Sequence, residues 1–195
     1  MATSAESISK DFAPSAIGRW ATDLHASTEQ SIGQASDRLI EVFSEKAAEL
    51  SDGDREKLLG YVEGLKETLD ADKRDLLEVI DDVTGSFKAA RQMIKETGGV
   101  YRIDFAEEFN KVRAKTDGEC GGLIKGHVVR LEKFVQDAEK VSDVKTIQRL
   151  MNEVGDAIRV TAAKARKLSD NANAVARELL ENYQRDAEGF GPKSK

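Results

Sequence analysis

Between Pro14 and Pro192 the chain contains no proline. An internal proline removes a helical hydrogen bond and clashes with the preceding turn, so nothing in that long interval obliges a helix to break. A single cysteine, Cys120, excludes an internal disulfide framework and fits a reducing compartment. The two histidines, His25 and His127, follow Thr22 and Ile124 by three residues. Neither therefore completes the Glu-x-x-His pair of a di-iron or di-manganese bundle, and no Cys/His spacing suits zinc. Nowhere do 18 apolar residues run together, which excludes a constitutive membrane-spanning helix. The first ten residues carry Glu6 and Lys10 and lack an apolar stretch, so no secretory signal is visible. A cytoplasmic location is expected, with secretion as the alternative if a signal has been removed.

Charge is plentiful but poorly suited to polyanions. Charged residues make up 34% of the chain, yet the net charge is −6. That balance argues against nucleic acid or an anionic membrane as an electrostatic partner. The densest basic cluster, Arg159, Lys164, Arg166 and Lys167, has no interleaved aromatic on which bases could stack. Flanked by Asp156 and Asp170, it reads as a solvated helix surface.

What the sequence does contain is helical periodicity. From Val144 to Leu179, apolar or small residues recur in steps of three and four: Val144, Ile147, Met151, Val154, Ile158, Thr161, Ala165, Leu168, Ala172, Val175 and Leu179. This is one narrow stripe on a long α-helix, and it needs partners to cover it. Matching faces run from Ile17 to Leu50 and from Leu58 to Ile94, the latter interrupted only at Asp72. Phe105 to Val141 supplies another, which thins at Thr116 and Cys120.

Helix boundaries follow from caps and breakers. Ser15, Ser51 to Asp54, Asp104 and Ser142-Asp143 open helices, while Gly98-Gly99 closes one. The expected fold is all-α: an elongated antiparallel up-down-up-down four-helix bundle with helices at about 15–50, 54–97, 104–141 and 143–188. Residues 1–14 form an N-terminal arm, 15–188 one bundle domain, and 189–195 a tail. The hairpin turns resemble one another, with Arg38-Leu39 leading to Leu50-Ser51-Asp52 and Arg130-Leu131 leading to Val141-Ser142-Asp143.

Such a bundle gathers Phe12, Trp20, Phe87, Tyr101, Phe105, Phe109, Tyr183 and Phe190 at one end. Its middle is a waist of small or polar inward positions: Thr28, Asp72, Thr116, Cys120, Thr161 and Ala165. Gly118, Gly122 and Gly126 recur every four residues beside Gly121, with Gly60-Gly64 as a second pair. These glycines imply a kink or break in helix three near 117–122, a close helix approach, or a core loose enough to open. On the close-approach reading, leucine at Gly122 or Ala165 overpacks the waist. Cys120 and His127 lie two turns apart, too distant for a thiolate–imidazole pair. They read instead as a small buried thiol and a partly exposed histidine, and His25 as an exposed helix residue.

The residues name no catalytic, cofactor-binding or metal site. The leading expectation is a non-enzymatic bundle acting through protein–protein contacts, as a scaffold, adaptor or effector, with self-association as one form. The alternative is a membrane- or lipid-active bundle that lays amphipathic faces on apolar surface. A third reading is a small-ligand carrier or enzyme whose waist pocket is lined by Asp72, Cys120 and Thr161.

Overall fold

The periodicity described above produces four helices and nothing else regular among the described residues. The structure, a computed structural model, describes the backbone of residues 14–96 and 103–189 and the side chains of 19–96 and 107–185. Helix α1 spans Pro14–Ala48, α2 Asp52–Glu96, α3 Ile103–Glu139 and α4 Val144–Gly189. Every boundary falls within two residues of its expected place. The short connections make the helices antiparallel, and the fold is an up-down-up-down four-helix bundle. The expected arm, the tail and the Gly98-Gly99 stop lie outside the described residues.

The two hairpin turns use the same local device. At the first, the Leu50 N–H donates to the Ala47 carbonyl at 3.2 Å. At the second, the Val141 N–H donates to the Ala138 carbonyl at 3.3 Å. Asp143 then caps α4, its Oδ1 accepting the Thr146 N–H at 2.9 Å. The hydrogen bonds from Thr146 hold the Asp143 carboxyl below the usual carboxylate range. A depressed carboxyl contributes stability above its unfolded value and loses it as pH falls through the folded one. Asp143→Ala is therefore expected to lower the thermal midpoint at neutral pH, with the deficit shrinking in acid, as scans at several pH values would record.

Packing groups the chain into two compact units. One holds Val79–Cys120 with the chain up to Leu24 and from Lys167, and the other holds His25–Glu78 and Gly121–Arg166. In the first unit Phe87, Phe109 and Tyr183 are buried, as expected of the aromatic group. The rings of Phe87 and Phe109 meet edge to face, with centroids 5.7 Å apart. That geometry sets a positive ring edge against a negative face. Ser169 Oγ donates to Asp82 Oδ2 at 2.5 Å, tying α4 to α2 beside this core.

In the second unit the core is aliphatic, built on Ile32, Leu39, Leu69, Leu131, Ile147 and Val154 around Phe43. Arg38 reaches Glu139 at 2.8 Å across its rim. That pair is half-exposed, so it adds little stability. The α4 stripe is buried at every named position except Val144 and Val175, which are half-buried.

The glycine expectations need correcting. Helix α3 is continuous through residues 117–122, so the break does not occur. Nor do the glycines admit a neighbouring backbone. A Cβ added at Gly118, Gly122 or Gly126 would meet nothing within 4 Å, and all three residues are exposed. The register of α3 turns Cys120, Ile124 and His127 inward, which sends the four-residue glycine repeat to the solvent side. Gly122→Leu therefore does not overpack the waist, whereas Ala165 is only 1% exposed, and leucine there is expected to strain the core. Gly122→Ala and Gly126→Ala are each expected to stabilise the fold by about 0.5–1 kcal/mol through helix propensity. Urea midpoints at unchanged m-value would measure it.

Candidate functional site

Three chemically versatile side chains meet inside the second unit, each placed by a different helix. From Leu58 to Val83 the buried face of α2 is apolar except at Asp72, which takes an inward position between Leu69 and Leu76. On α3, His127 occupies the inward position between Ile124 and Leu131. On α4, Thr161 follows Ile158 in the unbroken stripe. The three are 1%, 2% and 3% exposed respectively.

Their geometry is that of a hydrogen-bonded chain. His127 Nε2 stands 2.6 Å from Asp72 Oδ2. On the opposite side of the ring, Nδ1 stands 3.0 Å from Thr161 Oγ1. Thr161 Oγ1 in turn donates to the Ala157 carbonyl one turn back at 2.9 Å. The other carboxylate oxygen, Asp72 Oδ1, is buried with no hydrogen-bond partner among the described residues. So is the hydroxyl of Thr28. Thr28 precedes Leu50 by as many residues as Asp72 follows it, so the two are equally far along the chain from the α1–α2 turn. The result is a buried hydrogen-bonded layer with one residue each from α2, α3 and α4.

Asp72 and Thr161, expected at the waist, do come together. The residue that joins them is His127, which the sequence reading treats as partly exposed and which is in fact sealed. Its inward position was legible: Ile124, His127 and Leu131 are spaced three and four apart. His25 also departs from expectation, being half-buried rather than exposed.

Cys120 lies in the other unit, buried as expected. Its neighbourhood on α3 includes Asp117, paired with Arg113 Nη1 at 2.9 Å. Burial pushes the Asp117 carboxyl up to about 6 against the opposing pull of Arg113. Burial, reinforced by the Asp117 charge, pushes the Cys120 thiol up to about 12. A thiol so placed is not a nucleophile at neutral pH. It should resist a chromogenic disulfide reagent at pH 8 and react fully only once denaturant unfolds the chain.

The basic cluster is solvated: Arg159, Lys164, Arg166 and Lys167 are all exposed, with Arg159 paired to Asp156. Among the described residues, no three His, Cys, Asp or Glu side chains group closely enough to hold a metal ion. No helix among them is long and apolar enough to cross a membrane. No family model matches the chain, and no curated protein or solved structure matches it.

Proposed function

We propose that this chain is a non-enzymatic helical bundle that works through protein–protein contacts on its outer helix faces, as a scaffold, adaptor or effector. The observation that carries this reading is the sealing of the Asp72–His127–Thr161 layer. A nucleophile, base and orienting acid act on a substrate only where the substrate reaches them. Here the hydroxyl is turned to a backbone carbonyl and the ring is enclosed, so the layer suits a structural role. The surface that remains for other molecules is long, charged and helical, with Tyr61 57% and Val129 56% exposed. Light scattering on the eluting protein, followed by cross-linking and affinity capture, tests the proposal. A strict monomer that captures no protein would count against it.

A membrane- or lipid-active bundle is the second reading. It is favoured by the solvent-facing glycines, which weaken the helices, and by unpaired polar atoms in the core, which lower the cost of separating them. Flotation with neutral and with anionic vesicles decides it. Protein left at the bottom of both gradients ends that reading.

A further inference from the structure

We propose that the second unit binds a second copy of this chain, the outer face of α2 in one copy docking on the outer face of α3 in the next. The partner so named presupposes that the chain works through protein–protein contacts. Charge is divided unevenly within that unit. Residues 25–78 carry 14 Asp and Glu against seven Lys and Arg. Residues 121–166 carry nine Lys and Arg against six Asp and Glu. One hairpin's share of the unit is acidic and the other's is basic, so two copies offer each other opposite charge.

The excess is concentrated on two helix faces. On α2, Glu56, Leu59, Glu63, Glu67 and Asp70 follow in steps of three and four, which puts them on one side of the helix. All five are exposed. None of the four carboxylates has an ion pair among the described residues. Lys66 and Arg74 border the run without closing a salt bridge on it. Like charges four apart, such as Glu63 and Glu67, repel each other, and an approaching cation relieves that repulsion. On α3, Lys125, Val129 and Lys133 stand four residues apart, all exposed, with Glu132 beside them. Neither lysine is ion-paired among the described residues.

The two faces match in spacing. Glu63 and Asp70 lie about 10 Å apart along α2, and Lys125 and Lys133 about 12 Å apart along α3, at about 1.5 Å per residue. Two carboxylate–ammonium pairs can therefore form together, with Val129 between them. Leu59 is 44% exposed and Val129 56%, so each face also brings an apolar side chain. A Cβ added at Gly60, Gly64, Gly122 or Gly126 would meet nothing within 4 Å, so no bulk beside either run holds a partner helix away. Because the two faces differ, the contact is heterologous and passes from copy to copy unless a ring closes.

Sedimentation velocity on the full-length protein at rising concentration tests this. In low salt the weight-average mass of the wild type should climb above that of one chain. It should fall back in about 1 M salt, where the screening length is about 3 Å. Glu63→Lys/Glu67→Lys reverses the α2 face, and Lys125→Glu/Lys133→Glu reverses the α3 face. Each variant alone should associate about tenfold more weakly, since like charges then meet. Mixed in equal amounts they should associate again, because the basic α2 face of one variant meets the acidic α3 face of the other. A folding defect cannot produce that recovery. A wild type that stays a single chain in low salt overturns the proposal, as does a mass that salt leaves unchanged. Variants that associate like the wild type, or a mixture that fails to recover, overturn it too. Should either variant fail to fold, the salt dependence of the wild type still decides. A single chain that nevertheless captures a different protein would leave the protein–protein reading standing while the second copy is excluded.

Discussion

Replacing His127 with leucine is expected to destabilise the protein by about 3–5 kcal/mol, because it strands a buried carboxylate. Asp72 is 1% exposed, and its Oδ1 already lacks a hydrogen-bond partner among the described residues. His127 Nε2 is what Oδ2 has, at 2.6 Å. Without it the charge must be buried alone, take up a proton, or drag water into the core. Thr161 is affected much less, since its hydroxyl retains the Ala157 carbonyl. The Asp72→Leu/His127→Leu pair should recover most of the loss, because replacing both members of a buried hydrogen-bonded pair by well-packed apolar groups costs little. Urea denaturation of the two singles and the double forms a closed cycle. If His127→Leu alone unfolds no more readily than wild type, the layer is not what holds these three helices in register.

The second large effect belongs to the other unit. Phe109→Ala should cost about 3–5 kcal/mol, combining lost burial with the cavity left behind. Phe109 is 1% exposed and Phe87 is fully buried, so neither ring has solvent to retreat into. The edge-to-face contact at 5.7 Å adds about 0.5–1.5 kcal/mol to the area term. A cycle with Phe87→Ala isolates that part as a coupling energy. The readout must be global unfolding together with amide exchange along 79–120. A loss confined to that stretch would show that the two compact units unfold separately.

The helices were legible because their signal is redundant. The α4 stripe repeats its message at eleven positions, and a slip at any one leaves the rest in phase. Boundaries were legible because Ser51, Asp143 and the polar turns stop a helix by known local chemistry. The site was only half legible. Asp72 broke an apolar run and so drew attention, and Thr161 lay in a stripe. His127 carried the same inward spacing, yet a single histidine is common on exposed helix surfaces. Its role depends on which side chains face it from α2 and α4, and long-range pairing of that kind leaves no trace in local periodicity. The glycines failed for a related reason. Their four-residue repeat is real, but which side of α3 it occupies follows from the phase set by Cys120, Ile124 and His127. Small residues at helical spacing say nothing by themselves about facing a neighbour.

The layer's partners are unevenly divided along the chain. Asp72 belongs to the first helical hairpin, whereas His127 and Thr161 belong to the second. Each hairpin alone therefore exposes half of a polar recognition code set in an otherwise greasy seam. A chain severed between Glu96 and Ile103 would yield two fragments that identify each other by completing that code. A fragment carrying leucine at position 72 would still stick, but without its fully buried marker of height, leaving the Ser169–Asp82 contact to set the register. The same logic makes exchange of hairpins between two copies a faithful event, since the swapped pair rebuilds the same contacts as the original.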